Sequence, residues 1–134
     1  MAAIIDIEGV GDSYAAKLKD AGVNSVEKLL ESGATAKGRA GLAEKTGISE
    51  KLILKWVNHA DLFRINGVAG QFAELLEAAG VDTVPELAQR NAENLHKKLA
   101  EANDAKNLTN SLPGAATIQK WIDEAKTLPR VVTH

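Results

Sequence analysis

The sequence predicts an all-α fold made of two tandem copies of one helical unit. A repeat runs through most of the 134 residues, and such a repeat indicates one supersecondary unit used twice. Glycine and proline separate segments whose apolar residues recur at spacings of three and four, which is typical of helices. The strict alternation of apolar and polar residues that marks a half-buried strand is not found, and only residues 2–7 are ambiguous.

The repeat begins with the pentapeptide IEGVG at residues 7–11. It recurs as INGVA at residues 65–69, an offset of 58 residues (65 − 7). A longer offset relates Trp56 to Trp121, so the second copy contains extra residues before its last helix. Small and large residue types agree in order between the copies, which indicates that both adopt the same local structure.

The extra residues of the second copy fall near residues 103–112, a polar stretch that predicts a loop. The repeat divides the chain into a first unit, residues 1–64, and a second unit, residues 65–134. We expect these units to pack as a pseudo-two-fold pair in one interlocked globular domain.

Capping residues delimit four predicted helices in the first copy. Ser25, Thr35 and Ser49 each stand directly before a helical pattern, where a hydroxyl oxygen can accept a first-turn N–H. Glycine follows the patterns, and Gly33 is the expected end of the second helix. The predicted helices span residues 12–20, 26–31, 36–46 and 50–63.

The second copy follows the same scheme. Thr83 with Glu86 three residues later predicts a capping box at the start of a short helix. Asn91 is the expected N-cap of the next helix, and Pro129 is the expected stop of the last one. The other predicted helices span residues 71–79, 92–102 and 115–128.

Trp56 and Trp121 lie on apolar stripes of equivalent helices, so we interpret them as core anchors and not as a base-stacking surface. The second hairpin is preceded directly by a helix, whereas the first has only the short segment 1–7 before it. We therefore expect the helix that carries Trp121 to fold back beside Val10 and Tyr14.

Residues 7–11, followed by Ala15 and Leu18, resemble the helix-hairpin-helix (SAM-like) DNA-binding motif. Two glycines permit a tight hairpin, and the apolar residue between them fills the core beneath. The free N–H groups of the following helix can then hold a phosphate without reading bases. The candidate nucleic-acid contacts are Gly9, Val10, Gly11, Lys17, Lys19, Lys37 and Arg39, with a weaker second hairpin at Gly67, Ala69 and Gly70.

Other residues favour a different interpretation, a protein-interaction or scaffolding module without nucleic-acid binding. Glu8 and Asp12 place negative charge beside the first hairpin, and Ala69 replaces the second glycine in the other copy. The lysines near Thr35 are also typical of an ordinary solvated face. Of the two copies, the first has the more basic balance, with 9 basic and 9 acidic residues against 7 and 9 in the second.

Composition argues against several classes of function. The net charge is −2, cysteine is absent and the three histidines have no ligand-like spacing, so we expect no catalytic residues, no metal and no cofactor. The N-terminal residues lack the charge and apolar run of a signal peptide, and we expect a cytoplasmic protein without a membrane segment. The expected partner is duplex DNA or, alternatively, a protein. No small-molecule substrate is evident, and the oligomeric state stays open.

The chain resembles a bacterial family of unknown function made of tandem helix-hairpin-helix-like units. The resemblance implies an all-helical fold, and it implies DNA binding only by analogy of fold. Asp12 and Ala69 depart from the usual pattern. The blocks that carry the resemblance are GVNSV (22–26), AKGR (36–39), LAEKTGIS (42–49), KWVN (55–58), ADL (60–62), NLH (94–96) and LPRVVT (128–133).

Overall fold

The computed structural model describes residues 2–134, and the prediction of an all-α fold is confirmed for them. They contain eight α-helices and a 3-10 turn at Ile4–Asp6, with no β-strand. An isolated antiparallel bridge joins Ala3 to Ser25. None of these helices has both the length and the apolar character needed to cross a membrane. The helices are α1 (Asp12–Asp20), α2 (Val26–Gly33), α3 (Ala36–Thr46), α4 (Glu50–Leu62), α5 (Gly70–Ala78), α6 (Val84–Ala88), α7 (Ala92–Lys106) and α8 (Ala115–Ala125).

The chain divides into two compact units. The first unit comprises Met1–Asp61 and Val131–His134, and the second comprises Leu62–Arg130. Trp56 is buried in the first unit and Trp121 in the second, which confirms their interpretation as core residues. In the second unit the tryptophan belongs to a single apolar cluster formed by side chains of α5, α6, α7 and α8.

Equivalent helices of the two units end in the same way. Gly22 follows α1 at φ 88° and Gly80 follows α5 at φ 94°, a left-handed conformation that glycine adopts without a steric penalty. In both places a backbone bond reaches back to the last turn of the helix, as in a Schellman motif. These bonds run from Val23 N–H to the Leu18 oxygen and from Val81 N–H to the Leu76 oxygen, each at 2.8 Å.

Four of the predicted N-caps are confirmed. Each side-chain oxygen accepts the N–H of the residue three positions later at 3.0 to 3.2 Å, which satisfies one of the free donors of the first turn. The capping residues are Ser25, Thr35, Ser49 and Asn91. Thr83 differs, because its hydroxyl donates to the Glu86 carboxylate at 3.3 Å and caps no N–H. The predicted capping box is therefore wrong.

The predicted end of α7 is also wrong, since the helix continues to Lys106. Asn103, predicted to lie in the polar loop, is helical, and its side-chain oxygen accepts the N–H groups of Leu108 and Thr109 at 2.9 and 3.0 Å. Asn107 ends the helix in the left-handed conformation at φ 52°. The polar composition of residues 103–112 predicts a loop, but it does not show whether an Asn side chain bonds to solvent or, as Asn103 does, to the backbone that follows it.

Close packing explains two glycines in the first unit. A Cβ at Gly33 would lie 2.5 Å from the Val57 side chain, and one at Gly38 would lie 2.2 Å from the Ser32 carbonyl oxygen. Gly33 is the last residue of α2 and has no positive φ, so it is required by its neighbours and not by a left-handed cap. A Cβ at Gly41, by contrast, would meet no atom within 4 Å.

We predict opposite effects of alanine at two glycines of α3. Gly38→Ala should destabilise the protein by about 1–3 kcal/mol, because the new methyl group overlaps a backbone oxygen that cannot move away. Gly41→Ala should stabilise it by about 0.5–1 kcal/mol, because alanine loses less backbone freedom in a helix interior. Urea unfolding followed by circular dichroism measures both. Equal effects of the two substitutions would contradict the packing described for Gly38.

Candidate nucleic-acid interface

The first hairpin joins the 3-10 turn at Ile4–Asp6 to α1. Ile7 and Val10 are buried on either side of the turn, and the Val10 N–H donates to the Ile7 carbonyl at 3.1 Å. Gly9 lies between them at φ 90°, a conformation that a residue with a side chain rarely adopts. The two buried side chains hold the turn against the core, so that Glu8 and Gly9 are exposed at its tip.

The tip of the first hairpin lies against Trp56. A Cβ built at Gly9 would stand 3.6 Å from the indole Nε1. The Tyr14 ring meets the same indole edge-on, with centroids 5.0 Å apart and an interplanar angle of 61°. Trp56 therefore occupies the place that the sequence analysis gave to Trp121, and that expectation is wrong.

The second hairpin has the same construction. Gly67 adopts φ 89°, and a Cβ there would lie 3.4 Å from Nε1 of Trp121. Phe72 stands where Tyr14 does, with its ring centroid 5.5 Å from that of Trp121. Each unit thus uses the tryptophan of its own last long helix to support its own hairpin. The first hairpin needs no helix from elsewhere before it, because the 3-10 turn at Ile4–Asp6 leads directly into it.

The backbone after each hairpin opens directly into a helix without a side-chain cap. Gly11 is the N-cap of α1 with φ −85° and ψ −178°, and a Cβ there would meet no atom within 4 Å. Ala69 is the N-cap of α5 in a similarly extended conformation, φ −129° and ψ −162°. Because this position needs neither a positive φ nor space for a close neighbour, alanine replaces glycine without altering the hairpin.

The charge at the two helix N-termini differs. Asp12 is the first residue of α1, whereas Gly70 takes that place in α5, whose first turn contains no acidic residue. A negative charge in the first turn interacts favourably with the helix dipole and competes with any bound anion. The glycine at residue 70 is therefore not a displaced copy of Gly11 but the equivalent of Asp12.

Both lysines predicted for the first hairpin are exposed on α1. The Lys17 ammonium lies 5.9 Å from the centroid of the Tyr14 ring, within the range of a cation–π contact. Lys19, two residues later, lies at the edge of a surface groove of about 510 Å³. These positions place two cations on the same short helix whose N-terminus follows Gly11.

The remaining predicted contacts separate. Lys37 is exposed and lines a groove of about 440 Å³ that also contains Lys45. Arg39, two residues later, is 5% exposed, and its guanidinium donates to carbonyl oxygens of the first unit. Arg39 is thus nearly buried, and its guanidinium is engaged within the fold.

The second hairpin borders a groove of about 530 Å³ that Lys120 also lines. There the Asn66 N–H donates to the Glu124 carboxylate at 3.1 Å. This bond occupies one exposed donor of the hairpin and adds a negative charge beside it. The two hairpins therefore differ in more than their glycines. The acidic group beside the first hairpin is Asp12 of α1, whereas the one beside the second is Glu124 of α8.

His59 is fully buried, whereas His134 is exposed. In residues 2–134, no group of three or more His, Asp or Glu side chains is placed to hold a metal ion.

A family model matches residues 8–128, which is most of the chain. The chain belongs to the family described as Domain of unknown function (DUF4332). This result confirms a family of unknown function, as the resemblance in the sequence suggested. Neither the curated proteins nor the solved structures contain a match to the chain. The geometry of the two hairpins is therefore the basis for a proposal of function.

We predict that alanine is tolerated at one glycine of the first hairpin and not at the other. Gly9→Ala should cost about 1–2 kcal/mol, because it forces a side chain into the left-handed region. Gly11→Ala should change the free energy of unfolding by no more than about 0.5 kcal/mol, as expected for an open surface position. Urea unfolding followed by circular dichroism distinguishes them. A loss at Gly11 as large as that at Gly9 would contradict the conformations described.

Proposed function

We propose that this chain is a non-catalytic module that binds the phosphate backbone of duplex DNA through its first hairpin. In this proposal the two units are tandem helix-hairpin-helix units, and the contacts are independent of base sequence. The observation that carries it is the uncapped N-terminus of α1, directly behind the exposed turn at Gly9.

The N-terminus of α1 supplies donors that point away from the helix. The first N–H groups of a helix have no partner within it, and Gly11 has no side chain with which to accept one of them. The helix dipole adds a partial positive charge at the same end. Since no atom lies within 4 Å of a Cβ position at Gly11, a phosphate oxygen can approach the backbone closely.

Lys17 and Lys19 supply the long-range attraction for a phosphate chain. Both are exposed on α1, and the cation–π contact with Tyr14 positions the ammonium of Lys17. Glu8 and Asp12 oppose this attraction at the hairpin, so we expect binding to be weak and steeply dependent on salt. Two lysine–phosphate contacts correspond to a slope of about −2 in a plot of log K against log salt.

The second hairpin is a weaker, separate contact in this proposal. Gly67, Ala69 and Gly70 present an uncapped N-terminus of α5 without an acidic first turn, and Lys120 stands in the adjoining groove. Glu124 offsets that lysine and engages the Asn66 N–H. For this reason we expect substitutions at the first hairpin to have the larger effect on DNA binding.

A matched pair of charge reversals tests the proposal. We predict that Lys17→Glu with Lys19→Glu weakens binding of a labelled duplex of about 20 base pairs at least tenfold at about 50 mM salt. Lys97→Glu with Lys98→Glu makes the same change of net charge on the exposed face of α7 and should have a much smaller effect. Fluorescence anisotropy measures both, and Gly11→Asp should also reduce binding.

Two results would contradict DNA binding at the first hairpin. One is the absence of duplex binding by the wild-type chain at about 50 mM salt, where phosphate contacts are strong. The other is an equal loss in the α7 pair, which would show that only net charge matters.

A second candidate is a protein-interaction module, and the exposure of Ile5 favours it. Among residues 2–134, Ile5 is the large apolar side chain that is exposed, at 47%. It borders a groove of about 510 Å³ whose wall includes Ala15, Ala16 and Lys19. Contiguous apolar surface marks a site that another protein covers, and Ile5 supplies it here together with the apolar groove wall of Ala3, Ala15 and Ala16.

We predict that, if this groove joins two copies of the chain, Ile5→Ser lowers the apparent mass at high protein concentration. Ala40→Ser, an exposed change on α3, is the matched control and should leave the mass unchanged. Light scattering over a concentration series measures both. A wild-type chain that stays monomeric throughout would reject self-association, and duplex binding with no effect of Ile5→Ser would favour the first candidate.

A further inference from the structure

The segment Val131–His134 belongs to the first unit, although the whole second unit precedes it in the chain. The Thr133 N–H donates to the Ala34 carbonyl at 2.8 Å, and the Thr133 carbonyl accepts from Nη2 of Arg39 at 2.7 Å. The neighbouring side chain, Val132, is 1% exposed. One residue is thus held through its backbone and the next through an apolar side chain, as in recognition of an extended peptide.

The receiving side of this contact is built by residues of the first unit. We call it the Arg39 cleft and define it by Gly33, Ala34 and Arg39. Nη1 of Arg39 donates to the Gly33 and Ala34 carbonyls at 2.9 and 3.1 Å, which fixes the guanidinium at the end of α2. A cation is favourable there because the last carbonyls of a helix carry partial negative charge.

The geometry of the Arg39 cleft leaves one arm of the guanidinium for the segment. The planar fork holds its two nitrogens in fixed directions, so that once Nη1 is bound at α2, Nη2 aims at the Thr133 carbonyl. Gly33 makes this arrangement possible, since a Cβ there would stand 2.5 Å from Val57 and 3.5 Å from Cγ of Arg39. The bonds of Nη1 are made to residues 33 and 34 and do not involve the segment.

The segment is attached by the buried Val132 side chain, by the two backbone bonds of Thr133 and by a bond of 3.4 Å from the Thr133 hydroxyl to the Ala34 carbonyl. Helix α8 ends at Ala125, and Pro129 and Arg130, just before the segment, are exposed. The contact with the Arg39 cleft joins residues 94 positions apart, so the tether sets its local concentration rather than its intrinsic affinity. The same residues of a second chain offer the same valine, N–H and carbonyl group, so they can compete for the same contacts.

We propose that the Arg39 cleft is a peptide-binding site that takes residues 131–133 of a second copy of this chain when its own segment is displaced. Recognition requires a valine-sized apolar side chain followed by a residue with a free N–H and C=O, which excludes proline at residue 133. The site lies at the end of α2 and the start of α3, and the proposal does not depend on DNA binding.

A labelled peptide of sequence TLPRVVTH, residues 127–134, tests this proposal on the full chain. We expect it to bind the Val132→Asp chain, whose own segment cannot stay buried, at least about tenfold more tightly than the wild-type chain, whose cleft is occupied. A control peptide with aspartate at the position of Val132 should bind at least about tenfold more weakly than the natural peptide. Fluorescence anisotropy gives the affinities, and circular dichroism reports whether each chain is folded.

A second chain keeps the test decisive if Val132→Asp loses its helical signal. Thr133→Pro removes both donors to the Ala34 carbonyl, the backbone N–H and the hydroxyl, and leaves the Val132 side chain unchanged. Binding of the natural peptide to either folded variant, with discrimination against the control peptide, supports the proposal. Failure to bind a folded variant, or equal binding of both peptides, overturns it. Unfolding of both variants also overturns it, because a segment that the fold cannot release cannot be exchanged.

Discussion

The packing of a hairpin glycine on a tryptophan is the contact on which both units depend. At Gly9 and Gly67 the backbone turns with φ near 90°, and the indole Nε1 of Trp56 or Trp121 lies 3.6 or 3.4 Å from the position that a Cβ would take. The indole fills the space below the turn and also meets an aromatic ring of the following helix, Tyr14 in one unit. Turn, tryptophan and helix therefore pack on one another in each unit.

This arrangement determines what the hairpin presents to solvent. Because the apolar residues on both sides of the turn are buried, the exposed part is backbone, and the chain passes at once into an uncapped helix. Such an N-terminus favours anions through its free N–H groups and its dipole. In the proposed function, the acidic neighbours, Asp12 in the first unit and Glu124 in the second, limit phosphate binding at each hairpin.

The sequence predicted most of what local chemistry determines, apart from the capping box at Thr83 and the end of α7, and missed what distant contacts determine. The N-caps at Ser25, Thr35, Ser49 and Asn91 follow from residues three positions apart, and all four form. Arg39 looked like a surface cation because backbone carbonyls leave no pattern in the sequence and one of its three partners, Thr133, lies 94 positions away. The expected position of Trp121 was wrong for a similar reason: a single 3-10 turn, Ile4–Asp6, replaces the helix that the repeat seemed to require. Ala69 looked like the loss of a required hairpin glycine, because the sequence alone does not show that φ at this position is negative.

The most direct measurement is a titration of the ¹⁵N-labelled chain with duplex DNA at low salt, followed by the backbone amide resonances. If the hairpins present their N–H groups to phosphate, the largest shifts occur at Gly11, Asp12 and Ser13, with smaller shifts at Gly70 and Gln71. Shifts that are absent from these amides, or that are no larger than those on the exposed face of α7, would contradict the account.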